Sequence, residues 1–186
     1  MTDKPARIRT ERLDLVAGSA SVLRAELAGR QSLEAALGIR IPDRWPPELY
    51  DADAIEWMLA RLEEDARFEA WGFRYFVLRP TSESERAVAI GAGGYKGPPT
   101  AEATVEIGYS ILPEYQRRGF ASEAVTGLLD HAYAHSEVSK VIAETLPELE
   151  PSIGVLRRTG FELEGDGSEP GVIRFAHLRD APGTES

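Results

Sequence analysis

Arg117, Arg118 and Gly119 stand directly before an apolar-periodic segment, and this placement is the strongest chemical signal in the chain. A glycine at the entry to a helix lets a ligand approach the backbone, because no Cβ is in the way. Beyond it Ala121, Ala124, Val125, Leu128, Leu129, Ala132 and Tyr133 recur at helical spacing. The first N–H groups of such a helix have no partner within it and carry its positive dipole end. Together with two guanidinium groups they form a site suited to a phosphate or pyrophosphate. Ser122, in the first turn, adds a hydroxyl. An exposed basic pair with no ligand is the plain alternative for the two arginines. Two carboxylates also stand out among apolar strand neighbours: Glu106, and Glu144 in VIAET. For these the plain alternatives are a solvated strand face or an ion pair with arginine.

Two other constellations weaken on inspection. His131 and His135 are four apart on one helix, a metal-ligand spacing, but no cysteine or third ligand is near in sequence and no metal is expected. The run Gly91 to Gly94 suggests a dinucleotide loop, yet it lies within a strand pair and opens no helix. A bulge or a close-packing site is the better expectation.

The elements that must position the anion site follow from patterning. Val105, Ile107 and Tyr109 alternate with Thr104, Glu106 and Gly108, as in a strand, and Pro113 ends it. The segment Gln116 to Ala121, QRRGFA, resembles the acyl-CoA pyrophosphate loop of the GNAT N-acetyltransferases, Q/R-x-x-G-x-G/A. Near the N-terminus TERLDL, Thr10 to Leu15, is similar to the opening strand of the RimJ/RimL-like branch. SIGVLRRTGFELEG, Ser152 to Gly165, resembles that branch's late helix, its GF stop and the following strand. The likeness runs over nearly the whole chain in the right order.

This resemblance implies an acetyl-CoA-dependent N-acetyltransferase that moves an acetyl group directly to a primary amine, either a protein N-terminus or a small molecule. Acetyl-CoA is the implied cosubstrate. Ile111 and Leu112 would offer backbone groups to the pantetheine amides. Arg117, Arg118, Gly119, Phe120, Ala121 and Ser122 would hold the pyrophosphate. Glu106 or Glu144 would face the acceptor amine, as general base or as recognition. Ser152 would donate to the leaving sulfur, an ordinary N-cap being the alternative. The chain departs from the family twice: Leu149 stands where an asparagine is usual, and the tyrosine found in many members as general acid falls at Leu156. These departures motivate a second reading, a non-catalytic acyl-CoA-binding sensor or scaffold.

Composition sets the frame. The 186 residues suit one domain, expected over residues 1–179, with a disordered tail at 180–186. No run of about 18 apolar residues occurs and the N-terminus lacks a signal-peptide core, so a soluble cytoplasmic protein is expected. There is no cysteine, which removes disulfides, thiolate metal sites and a cysteine nucleophile. A formal net charge of −10 disfavours nucleic acid and anionic membranes and favours a cationic partner such as an amine. Edge-strand pairing into a homodimer is compatible with the pattern.

The expected fold is α/β (α+β): a GNAT-like mixed, mostly antiparallel sheet of six to seven strands, flanked by helices on both faces. Its first strand spans 8–17. Ser19 or Ser21 caps a first helix, Gly38 closes a second, and Asp53 with Glu56 starts a third. The three-proline segment Ile39 to Asp51 reads as an ordered loop. Trp45, Tyr50, Trp57 and Trp71 are candidates for the acceptor pocket or an oligomer contact, core packing being favoured for Trp57.

Overall fold

The structure, a computed structural model, describes residues 6–179. The expected tail at 180–186 lies outside the described residues. Eight strands form one sheet: β1 (Arg7–Arg9), β2 (Leu13–Ala17), β3 (Phe73–Leu78), β4 (Val88–Tyr95), β5 (Thr104–Ile111), β6 (Lys140–Thr145), β7 (Glu162–Asp166) and β8 (Ile173–Leu178). Their spatial order is β1-β2-β3-β4-β5-β6-β8-β7, and every pair is antiparallel except β5–β6. The strand count exceeds the expected six to seven because segment 8–17 is a hairpin. Thr10 turns it: its amide donates to the Leu13 carbonyl at 3.0 Å, and its hydroxyl accepts from the Leu13 amide at 3.1 Å.

Helices α1 (Ala20–Leu27), α2 (Arg30–Leu37) and α3 (Ala52–Glu64) cover one face of the sheet. There Val22, Leu23, Leu33 and Ile55 pack on Phe73, Tyr75 and Val77. Helices α4 (Phe120–Ala134) and α5 (Glu150–Arg158) cover the other. Val125, Leu128 and Leu156 pack there on Phe76, Ile107 and Phe175. Burial on both faces explains why β3 and β4 read as near-continuous apolar runs.

Local differences from the sequence reading have simple causes. Ser19 is the N-cap position of α1 but makes no side-chain cap, whereas Asp51 caps α3 by accepting from the Ala54 amide at 3.0 Å. Asp53, two residues later, falls in the first turn, where its charge suits the dipole. Gly38 ends α2 in the left-handed conformation. The glycine run of β4 is a close-packing seam. A Cβ on Gly91 or Gly93 would stand 2.4 Å from a β5 carbonyl oxygen, and the β3–β4 register shifts beside it.

Candidate active site

β5 and β6 are hydrogen-bonded neighbours from Thr104–Lys140 to Ile107–Ala143, and beyond that point the pairing stops. The next residues on each strand, Gly108 to Ile111 and Glu144 to Thr145, line a cleft of about 1450 Å³. It runs from the β5–β6 gap to the N-terminus of α4, so strand divergence and helix dipole address the same space. The helix starts where Gly119, at φ 82°, takes a left-handed conformation. Added to it, a Cβ would have Arg12 Nη2 as its nearest neighbour at 3.4 Å, so the strain there is in the backbone rather than in crowding. Arg117, at φ 60°, carries a second left-handed turn. Gly119, Phe120, Ala121, Ser122 and Arg117 all line the cleft.

Arg118 does not join them. Its guanidinium lies 5.1 Å from the centroid of the Phe120 ring and 5.9 Å from that of Tyr115. The residue that buttresses the loop is one the sequence did not single out. Arg12, from the β1–β2 turn, donates from Nη1 to the Arg118 carbonyl at 3.2 Å and stacks 4.4 Å over Phe120. Its Nε donates at 2.7 Å to Glu123 Oε2, while Glu123 Oε1 accepts at 2.6 Å from both the Thr10 hydroxyl and the Arg12 amide. Burial opposes the charge on Glu123, but these donors outweigh it and hold the carboxyl below its ordinary value. The missed signal was Glu123 itself: a carboxylate in the first turn of α4 needs donors, and only tertiary structure brings them. Arg158, at the end of α5, also lines the cleft, with Nε 3.5 Å from Ser122 Oγ. It is a second cation that sequence spacing could not place.

At the strand end the expected pantetheine contacts divide. Ile111 lines the cleft, and its carbonyl accepts from Gln116 Nε2 at 2.8 Å. Leu112 is buried, with its amide donating to the Ile90 carbonyl at 2.9 Å. Its N–H is therefore committed to the sheet.

The two carboxylates differ sharply in commitment. Glu144 lines the cleft, yet it accepts from Arg174 Nε at 2.9 Å, from the Ser168 amide at 2.9 Å and from the Ser168 hydroxyl at 2.6 Å. Burial works against its ionisation, and these donors overcome it, so its pKa is lowered. A carboxylate held this way is a poor base. Among the described residues Glu106 makes one side-chain hydrogen bond, with the ammonium of Lys96; Lys96 lines the cleft, whereas Glu106 stands behind it and is not among the lining residues. Their side chains are 25% and 57% exposed, and an ion pair this open contributes about 0–1 kcal/mol, so releasing Glu106 is inexpensive.

Ser152 is not an N-cap. α5 begins two residues earlier, after Leu149, because Pro151 fits a first helical turn. Ser152 therefore faces the cleft from within the helix, and its Oγ lies 3.3 Å from the Tyr109 hydroxyl. Leu149, 43% exposed, and Leu156, buried in the core, both line the cleft. Of the four large aromatic residues, Tyr50 and Trp57 line the cleft. Trp57 is half exposed there, not packed in the core as expected. Trp45 stacks on Tyr75 and donates to Glu26 at 2.7 Å, anchoring the proline loop. Trp71 is buried against Tyr95, His131 and His135, which accounts for the paired histidines as packing. Burial, then the nearby Arg74 and His135, push His131 down to about 4. Among the described residues no group of three or more His, Asp or Glu is placed to hold a metal ion. No described helix is long and apolar enough to cross a membrane.

Comparison with known proteins matches this geometry. The family model described as "Acetyltransferase (GNAT) domain" covers residues 25–162. The uncharacterized N-acetyltransferase YoaA of Bacillus subtilis is 31% identical over 106 residues, 57% of this chain and 55% of that protein. The chain spans about half the length of the curated relatives it matches. Two solved structures share the fold. RimJ of Mycobacterium smegmatis, in complex with CoA-disulfide, is 21% identical with a TM-score of 0.61, over 96% of this chain and 90% of that one. RimL, a ribosomal L7/L12 alpha-N-protein acetyltransferase in complex with coenzyme A, is 19% identical with a TM-score of 0.61, over 95% and 99%. With the left-handed glycine at the head of α4, the cleft between β5 and β6 and a family model over most of its length, the chain belongs to the GNAT acetyltransferase family.

Proposed function

We propose that the protein transfers an acetyl group from acetyl-CoA to a primary amine that is cationic in solution and carried on a partly apolar framework. The observation that carries this reading is the divergence of β5 and β6 directly in front of the α4 N-terminus. The residues fit the cosubstrate. The open first turn of α4, Arg117 and Arg158 suit a pyrophosphate, and the free edge of β5 past Ile107 suits an amide-bearing arm. Acetyl-CoA, when bound, supplies an activated acyl group on a thiol leaving group. Everything else falls to the chain: holding the two reactants together, stripping a proton from the ammonium and stabilising the departing sulfur.

Tyr50, Trp57 and Met58 line the cleft together with the carboxylates of Glu48 and Glu169, and the acceptor is assigned to them. Tyr50 is buried, and its hydroxyl stands close over Gly108, 3.3 Å from where a Cβ would be. Acid beside aromatic surface attracts an ammonium and the apolar group next to it. A peptide N-terminus with an apolar first residue and a small apolar amine both meet this description. Glu106 is the carboxylate we assign as base, reaching the amine from behind Lys96, because freeing it breaks one weak pair, whereas freeing Glu144 breaks three hydrogen bonds and an ion pair with Arg174.

Two measurements test the reading. Acetyl-CoA at 100 times its dissociation constant should stabilise the protein by about 2.7 kcal/mol, a shift of several degrees in Tm. Thiol release from acetyl-CoA should then rise with a peptide N-terminus or a small apolar amine and not with an acidic peptide, in an assay kept clean by the absence of cysteine. Binding without release to either amine class would establish the sensor reading instead. Glu106→Gln should lower kcat at least roughly tenfold, as loss of a general base does, while leaving acetyl-CoA affinity within about twofold. Unchanged turnover would remove Glu106 from the chemistry.

A further inference from the structure

Leu156 leaves the helix side of the cleft without a proton-bearing group at the position where the resemblance expects a tyrosine, and its side chain is buried in the core. A hydroxyl reaches the same region from the strand side. Ile107 is the last β5 residue paired with β6, and Tyr109 is the next residue on that face of the strand. Its ring packs against the core under α4 and α5, and it lines the cleft at the point where the two strands part. Its hydroxyl is 3.1 Å from the Ser152 carbonyl and 3.3 Å from Ser152 Oγ. Resting on the transfer reaction proposed above, we propose that Tyr109 is a catalytic residue whose hydroxyl donates a hydrogen bond to the sulfur as the carbon–sulfur bond breaks.

The electron count is simple. The lone pair of the deprotonated amine forms the new nitrogen–carbon bond, the carbon–sulfur pair leaves on sulfur, and the proton shed by nitrogen passes to Glu106, the base assigned above, and from it to solvent. Tyr109 keeps its own proton and stabilises the thiolate. Its state suits that role. Burial raises its pKa, opposed by the Ser152 hydrogen bond and by Arg158, and the balance stands at about 12. The phenol is thus protonated and able to donate throughout the physiological range. In the resting protein it has Ser152 as partner, so the donor is held in place before the sulfur arrives, the condition under which such groups act most strongly.

A purely structural role for Tyr109, pinning the first turn of α5 through the Ser152 carbonyl, makes different predictions. The deciding measurement is the affinity of CoA against desulfo-CoA by calorimetry between pH 7 and 9. In the wild type, CoA should bind more tightly than desulfo-CoA, and the margin should widen as the thiol ionises. In Tyr109→Phe the margin should collapse while desulfo-CoA affinity holds, and kcat should fall roughly 10- to 100-fold, the scale of losing one preorganised donor. Equal loss of affinity for both ligands would overturn the proposal in favour of the structural role. If the variant does not fold, the wild-type margin alone decides, and its absence overturns the proposal. Should neither CoA nor acetyl-CoA bind, the transfer reading itself fails. Binding without a thiol-dependent margin removes only Tyr109.

Discussion

Gly119→Val should abolish productive acetyl-CoA binding, lowering affinity about 100-fold or more, while the purified variant remains folded. Gly119 opens α4 at φ 82°, a conformation that costs an ordinary residue about 1–2 kcal/mol and a β-branched one more. The chain can respond by keeping the turn and placing two methyl groups over the N–H groups of Phe120 and Ala121. It can also relax the turn and re-aim those N–H groups. Either response removes the anion cradle, whose value lies in donors that need no reorganisation when the ligand arrives. Little apolar packing depends on the glycine, since Arg12 Nη2 is the nearest atom a Cβ would meet. Calorimetry with acetyl-CoA, paired with a melting curve, separates loss of binding from loss of fold. Affinity within tenfold of wild type would show that the α4 N-terminus is not the anion site.

The second large effect concerns stability. Glu123→Ala should cost about 2–3 kcal/mol, or roughly 4–12 °C in Tm for a chain of this size, because three hydrogen bonds to one charged group are lost together. The sign of its pH dependence follows from the direction of the shift. The carboxyl of Glu123 is held below its ordinary 4.5, so its contribution is full above that value and fades as the pH falls through the lower, folded value. Wild type and variant should therefore differ most near pH 7 and converge in acid. A constant difference across that range would assign the loss to packing of the Glu123 side chain. Because the same carboxylate holds Arg12 against the Arg118 carbonyl, the variant should also bind acetyl-CoA more weakly.

What the sequence disclosed and what it withheld divide along a physical line. The junction between β5 and α4 was legible because its parts are contiguous: a strand, a proline, a glycine at the helix entry and a periodic helix are all written in local order. The glycine run of β4 was legible for the same reason. Hidden were the contacts whose partners are far apart along the chain. Arg12 and Glu123 are 111 residues apart, and Tyr109 and Ser152 are 43 apart. Arg118 and Arg117 look alike in sequence, yet opposite sides of one turn send the first onto Phe120 and the second into the cleft. Trp57 lies off the stripe of Ile55, Met58, Leu59 and Leu62 that α3 buries, on a face that borders the cleft, and its size alone argued for a core. The β1–β2 hairpin was missed because Thr10, a good strand residue, makes the turn with its own side chain.

The order of the sheet bears on where this domain begins and ends as a folding unit. Residues 25–162 carry the family match, but β2 pairs with β3 from before that stretch, and β8 pairs with β6 from after it. Excising the matched stretch would strip β3 and β6 of a neighbour each and leave two long, apolar edges able to join other chains. The flanking hairpins act as the covers of the sheet, and the N-terminal one doubles as the brace of the turn that opens α4. Trimming the chain to its recognisable centre should therefore expose both sheet edges and remove the Arg12 support of the α4 entry together.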